Sequence, residues 1–257
     1  MENDDVFSLR NRIAIVTGGA RGIGRAICLA FAARGAVPVV VDLDGDGAAQ
    51  VAAEIVSHGA EALYFEADVR SYARAREVAA TVAGRTGGID ILVNNAGIAQ
   101  PKPFLDLTEE EWDLTIDIHL KGSFNWSQAV LPHMLSNKWG RIVSISSMVG
   151  KHGGAYPAVS RTAYAAAKAG MLGLTRGLAR EAAPHVTVNA ICPGVIDTGI
   201  AQSLLTEAAL RRTLELIPLA RIGRPADIAN AVVFLASEAA GYITGEVVDV
   251  NGGVYID

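Results

Sequence analysis

Cysteine is scarce in this 257-residue chain: Cys28 and Cys192 are the only two, and no C-x-x-C joins them. That excludes a disulfide scaffold and a cysteine-ligated zinc site, and it reads as two buried free thiols in a reducing compartment. The histidines (His58, His119, His133, His152 and His185) are scattered along the chain, so no metal, structural or catalytic, is expected. Long apolar runs are also missing. Hydrophobic residues make up 51% of the chain, yet no uninterrupted run reaches the ~20 residues a membrane span needs. The hydrophobicity therefore belongs to a buried sheet and to subunit contacts, and no membrane partner is expected. Basic residues do not dominate: 22 Lys and Arg face 27 Asp and Glu, a net charge of −5 without a basic stripe, which argues against a nucleic-acid partner. The N-terminal MENDDVFSLRNR is acidic and lacks a signal-peptide core, so a cytoplasmic location is expected.

Strand-like and helix-like segments alternate from end to end. Apolar runs at 13–16, 37–41, 62–65, 89–93, 141–146, 186–191 and 246–250 read as strands. Helical patterns fill the gaps at about 22–34, 46–57, 71–85, 108–136, 162–183 and 226–237. This rhythm predicts an α/β protein, a single doubly wound parallel sheet of about seven strands with helices on both faces (a Rossmann fold). With no repeat, low-complexity stretch or linker, residues 1–257 read as one domain. Only 195–225 breaks the rhythm, and long excursions of this kind are either functional lids or surface packing.

Two motifs carry chemistry. The first is Thr17-Gly-Gly-Ala-Arg-Gly-Ile-Gly24, which follows the strand at 12–16 and opens a helix. In that context Gly18 permits the tight turn, Gly22 lets backbone approach a pyrophosphate, and Gly24 allows close helix–strand packing; Arg21 and Ile23 sit in the same loop. The second strand ends at Asp42, 18 residues after Gly24, where a carboxylate accepts hydrogen bonds from the adenosine ribose of NAD. A 2′-phosphate there would meet Asp42, with Asp44 and Asp46 close behind, and like charges repel. Arg21 is the counter-signal. The pattern favours NAD(H); a helix N-cap is the other role Asp42 can fill.

The second motif is Tyr164 with Lys168 four residues on, in TAYAAAKAGMLGLTRGLARE. On a helix this spacing places phenol and ammonium on one face. A phenol titrates near ~10, and a neighbouring cation lowers that value. The spacing suggests a tuned acid/base, although an isolated pair of this kind more often describes a buried tyrosine beside a snorkelling lysine, and only the rest of the chain can overturn that.

Together the motifs resemble the short-chain dehydrogenase/reductase family. Asp68-Val69, Asn94-Asn95-Ala96-Gly97, Ser147, Pro193-Gly194 with Thr198, and Gly252-Gly253 follow in the family's order, so the resemblance covers nearly the whole chain from Leu9. It implies hydride transfer between a secondary alcohol, or its ketone, and a nicotinamide. Tyr164 would carry the proton, Lys168 would lower its pKa and hold the nicotinamide ribose, and Ser147 rather than Ser146 would orient the substrate oxygen. The resemblance further implies that Asp68 and Val69 read adenine, that Asn95 steadies the central strands beside the cofactor, and that Ile196 and Thr198 meet the carboxamide. It also implies a substrate-covering loop at 195–225 and a homotetramer.

Two departures stand out. His119 occupies the place of a helix asparagine thought to hold a water linked to the lysine; an imidazole can bridge in the same way, can titrate near neutrality, or can be a packed side chain. The stretch between Ser147 and Tyr164 is a few residues longer than the common spacing, and it carries His152, Tyr156, Pro157 and Arg161. Polyols, sugars, cyclic alcohols and hydroxyacyl compounds all remain open as substrates. Reduction of 3-oxoacyl thioesters is the enzymatic alternative, and a non-catalytic dinucleotide sensor is the alternative from another class.

Overall fold

The strand-and-helix rhythm of the sequence folds into a seven-stranded sheet in the order β3-β2-β1-β4-β5-β6-β7, every neighbouring pair parallel. The computed structural model describes residues 5–153, 161–198 and 207–256. Tyr156, Pro157 and the apolar patch 200–205 lie outside them. The strands are β1 (Ile13–Thr17), β2 (Val37–Asp42), β3 (Leu63–Glu66), β4 (Ile91–Asn94), β5 (Gly140–Ile145), β6 (Val186–Pro193) and β7 (Val247–Val250). Between them run α1 (Gly22–Ala33), α2 (Gly45–Ser57), α3 (Tyr72–Thr86), α4 (Glu109–Ile116), α5 (Gly122–Ser136), α6 (Val149–His152), α7 (Thr162–Glu181), α8 (Glu207–Glu215) and α9 (Pro225–Ala236). Local chemistry sets several boundaries. Ser71 caps α3, which ends on left-handed Gly87, and Thr108 with Glu111 forms a capping box on α4.

β1, β4 and β5 are buried at every position, as strands covered on both faces must be. Alternate side chains feed two cores. Val16, Val40 and Val143 pack with Ile27 and Phe31 of α1, Val51 of α2 and Val232 of α9. Ile15, Val39 and Ile142 pack with Val78 of α3 and with Trp126 and Met134 of α5. Both cysteines are buried free thiols. Among the described residues no helix is long and apolar enough to cross a membrane.

One sequence expectation is corrected. The segment read as a continuous helix over 108–136 is α4, a π-helical turn at Asp117–Lys121, and α5. One residue inserted into a turn leaves regular periodicity on both sides, so the apolar pattern does not reveal it. The turn buries His119, and α5 begins at Gly122, where an added Cβ would lie 3.1 Å from Val69 Cγ2.

Trp126 is fully buried at the centre of the second core. Trp126→Ala should therefore cost about 3–5 kcal/mol in denaturant unfolding. A loss below ~1 kcal/mol would mean that this core collapses around the gap and does not depend on the ring.

Candidate active site

Between β1 and β4 the strand order reverses, so the connections after these two strands depart to opposite faces and leave a crevice at their carboxyl ends. A cavity of about 700 Å³ occupies it. Gly18, Arg21, Gly22, Ile23, Asp42, Asp68, Val69, Asn95, His119, Ser147, Tyr164, Lys168, Ile196 and Thr198 all line this cavity. Of the residues expected there, only Gly24 lies beneath it, in the packing.

The glycine loop has the shape of an anion cradle. Gly18 adopts φ +65°, and a Cβ on it would come 2.8 Å from Ala96 Cα. A Cβ on Gly24 would lie 2.0 Å from the Gly18 carbonyl oxygen, so helix and loop meet only because both are glycine. No side chain caps the first turn of α1, whose N–H groups face the cavity beside Arg21 and Gly22. These free donors, with glycine where any Cβ would intrude, fit a dinucleotide pyrophosphate.

Asp42 is held by its own neighbourhood: its carboxylate accepts from Ala20 N at 3.0 Å and from Asp44 N at 3.1 Å. It does not cap α2. Asp44 does, accepting from Gly47 N at 2.9 Å, so the capping alternative for Asp42 is removed. Asp68 pairs with Arg70 at 2.6 Å, and that guanidinium holds its carboxyl below the usual range. Asn125 fixes the backbone beneath by donating to the carbonyls of Val69 and Arg70 at 3.0 and 3.1 Å. Asn95 donates to the carbonyls of Thr17 and Gly18 at 2.9 and 3.0 Å, tying β4 to β1.

Tyr164 and Lys168 lie on α7 with the ammonium 5.6 Å from the phenol ring centroid. Lys168 Nζ donates to the Ile145 carbonyl at 2.7 Å. The Ser146 hydroxyl donates to the Lys168 carbonyl at 2.8 Å, so it serves α7. The Ser147 hydroxyl interacts with Tyr164 and accepts from Val149 N at 3.1 Å. Protonation states differ from the sequence expectation. Burial pushes the Tyr164 phenol up to about 12, against the lowering effect of Ser147, and pushes Lys168 down to about 7. In the protein alone desolvation dominates both groups, raising the phenol and lowering the amine.

His119 stands edge-on to Tyr164, ring centroids 5.1 Å apart and planes at 87°. Its Nε2 lies 3.0 Å from the Ile98 carbonyl and 3.2 Å from the Ile98 N–H, while buried Nδ1 has no protein partner. Burial, then the charge of Lys168, push the imidazole down to about 3, which disfavours titration near neutrality among the alternatives the sequence left open. Gly97 makes room for it, since a Cβ there would lie 2.5 Å from His119 Cε1. Sequence reading missed Arg70, α6 and this role of Gly97. Arg70, two residues from Asp68, was the readable signal.

The comparisons with known proteins agree with this geometry. A family model described as enoyl-(acyl carrier protein) reductase matches residues 18–255. The chain is 41% identical to 3-oxoacyl-(acyl-carrier-protein) reductase of Aquifex aeolicus, over 97% of this chain and 99% of that one. The corresponding reductase of Thermotoga maritima is 37% identical over 96% and 99%. Among solved structures, a 7α-hydroxysteroid dehydrogenase complexed with NADH and 7-oxo glycochenodeoxycholic acid superimposes with a TM-score of 0.92 at 36% identity, over 98% of each chain. A short-chain type dehydrogenase/reductase from Mycobacterium marinum gives 0.92 at 33% identity, over 98% of this chain and 99% of that one. The chain belongs to the short-chain dehydrogenase/reductase family, oxidoreductases that work with a nicotinamide cofactor.

His119 should bear on acid stability. Its folded value of about 3 lies below the ordinary 6.5, so across that interval the unfolded chain binds the extra proton and stability falls as pH drops. His119→Asn should flatten that fall, read from denaturant midpoints at successive pH values from 6.5 downward. An unchanged slope would show that the imidazole is not buried as a neutral ring.

Proposed function

We propose that this chain interconverts a ketone and a secondary alcohol with NAD(H), and that 3-oxoacyl thioesters are the first substrate class to expect. The observation that carries the reading is the meeting of Ser147, Tyr164 and Lys168 in one cavity with the glycine loop. The carboxylate of Asp42 at the end of β2 supports NAD(H), since it suits ribose hydroxyls and repels a 2′-phosphate.

A bound nicotinamide supplies or accepts the hydride. The protein's part is the proton. Ser147 donates a hydrogen bond to the carbonyl oxygen and orients it. Tyr164, protonated at neutral pH because burial lifts it to about 12, gives its proton to that oxygen as the alcohol forms. The phenolate left behind draws the proton of Lys168 more tightly, so ammonium and phenolate stabilise each other at the moment of transfer. The neutral imidazole of His119 holds the phenol ring edge-on. Asp68 with Val69 forms the adenine end of the cavity; Ile196 and Thr198 form the carboxamide end, beside Gly22.

The substrate class draws support from the relatives named 3-oxoacyl-acyl-carrier-protein reductase and from a phenol that stands ready to donate. A second reading, oxidation of a free secondary alcohol, is favoured by Asp42 and by the dehydrogenase relative solved with NADH. We further propose a homotetramer, because Phe104, Leu105, Leu114 and Phe124 leave apolar surface exposed around α4 and α5.

Consumption of NADH with a 3-oxoacyl thioester, beside NAD reduction with a panel of secondary alcohols, decides between the substrate readings. Tight dinucleotide binding without turnover of either would instead favour a sensor. Tyr164→Phe should lower kcat about 10²–10⁴-fold with cofactor affinity retained; an undiminished rate would remove Tyr164 from the chemistry. Asp42→Ala should raise kcat/KM for NADPH relative to NADH, and a parent enzyme that already prefers NADPH would contradict the ribose assignment.

A further inference from the structure

Lys151 and Asp249 lie 98 residues apart in sequence, yet Nζ and Oδ2 meet at 2.6 Å. Their side chains are only 8% and 17% exposed, the most enclosed ion pair described between two side chains of this protein. Neither residue lines the catalytic cavity, so neither is held there by substrate contact. What the pair joins is informative. Lys151 belongs to α6, the short helix that starts two residues after Ser147, whereas Asp249 belongs to β7 at the far edge of the sheet.

Three further contacts converge on the same turn. Val149 N donates to the Ser147 hydroxyl at 3.1 Å, so the pose of α6 sets the serine rotamer. Gly150 presses on the backbone of α7, where an added Cβ would lie 2.8 Å from the carbonyl carbon of Lys168 and 2.9 Å from Ala169 N. The C-terminal segment folds back through Asn251, which donates to the Tyr255 carbonyl at 2.9 Å, and lays the Tyr255 ring over α6. That ring centroid is 5.5 Å from Lys151 Nζ and 5.4 Å from the His152 ring centroid. A turn this short has too few internal hydrogen bonds to hold its own pose. Its position must come from outside, and the ion pair is a charge-assisted directional contact that ties it to β7.

We propose that the Lys151–Asp249 pair, roofed by Tyr255, is a positioning latch that holds the α6 turn on α7 and so sets Ser147 relative to Tyr164 and Lys168. These are positioning residues, since they act through Ser147 and touch no reacting atom. The proposal rests on the reading of Ser147 as the group that orients the substrate oxygen. Loss of the latch should therefore appear in kcat, while dinucleotide binding at the distant glycine loop is untouched.

The test uses Lys151→Met, Lys151→Arg and the double variant Lys151→Met/Asp249→Leu, each in the full-length protein. Lys151→Met leaves a buried carboxylate unpaired and should lower the melting temperature; the apolar double variant should regain it. Hydrogen exchange of the amides at 147–153 should quicken about 10-fold in Lys151→Met, and kcat should fall by about 10-fold or more with NADH affinity unchanged. Lys151→Arg should rescue most of kcat. The double variant should regain stability without regaining kcat, a split that a merely structural pair would not produce. Unchanged exchange at 147–153, or recovery of kcat together with stability, overturns the latch. Should the parent protein turn over no alcohol or ketone, the functional reading fails by itself, and exchange still decides the latch.

Discussion

The site depends on a hydrogen-bonded seam between the ends of β1 and β4. Thr17 is almost wholly buried, and its hydroxyl donates to the Val93 carbonyl at 3.2 Å while accepting from Asn95 N at 3.0 Å and Ala96 N at 3.2 Å. The Asn95 amide returns to the carbonyls of Thr17 and Gly18. These two strands are where the sheet reverses its winding, so no helix connection bridges the gap above them. The seam holds the gap at a fixed width. Gly18 and Gly24 then bring α1 down on it, and the carboxyl ends of β4 and β5 carry the backbone toward His119 and Ser147. A buried polar seam tolerates little error, because each unsatisfied group would cost about 1–3 kcal/mol. Here every donor and acceptor of the Thr17 hydroxyl is used.

Burial is the second constraint, and it sets protonation. Tyr164, Lys168 and His119 meet in one corner of the cavity, and each is driven toward its neutral form: the phenol upward, the amine and the imidazole downward. Lys168 is pushed to about 7, where small changes in local charge decide whether it carries a proton. A negative charge appearing on Tyr164 is such a change. The corner is thus organised so that formation of one charge calls up the other. His119 stays outside this exchange, because protonating it beside Lys168 would add a second cation to the same unsolvated space.

Much of the fold was legible because a buried parallel sheet writes continuous apolar strands between amphipathic helices, and each expected strand from Ile13 to Val250 is present with its ends shifted by a residue or two. The glycine loop, Asp42, Ser147, Tyr164 and Lys168 were legible because each needs one residue type at one spacing. Other features depend on three-dimensional contact. The π turn around His119 preserves the periodicity on either side, so sequence reads through it. Asp44, not Asp42, caps α2, a distinction of two residues set by loop conformation. The acidity of Tyr164 was misjudged because spacing reveals the neighbouring cation and conceals the desolvation of both partners. The contact of Lys151 with Asp249 joins α6 to β7 across 98 residues, a separation over which no local pattern carries information.

Asp42 and the named relatives pull the reading of the substrate in different directions, and the physical weight of each differs. Asp42 acts directly on the dinucleotide: its carboxylate is fixed by two backbone donors, so it cannot swing away from a 2′-phosphate without losing both. Arg21, exposed at the start of α1, has no such fixture and can turn toward or away from the ribose. Under the proposed NAD(H) reading, dinucleotide choice would turn on Asp42, whatever the substrate. Ile217 and Val254 line the same cavity as Asp42. The proposed NAD(H) preference is compatible with the proposed 3-oxoacyl substrate, because a carboxylate at the end of β2 would bear on the dinucleotide and not on the substrate carbonyl.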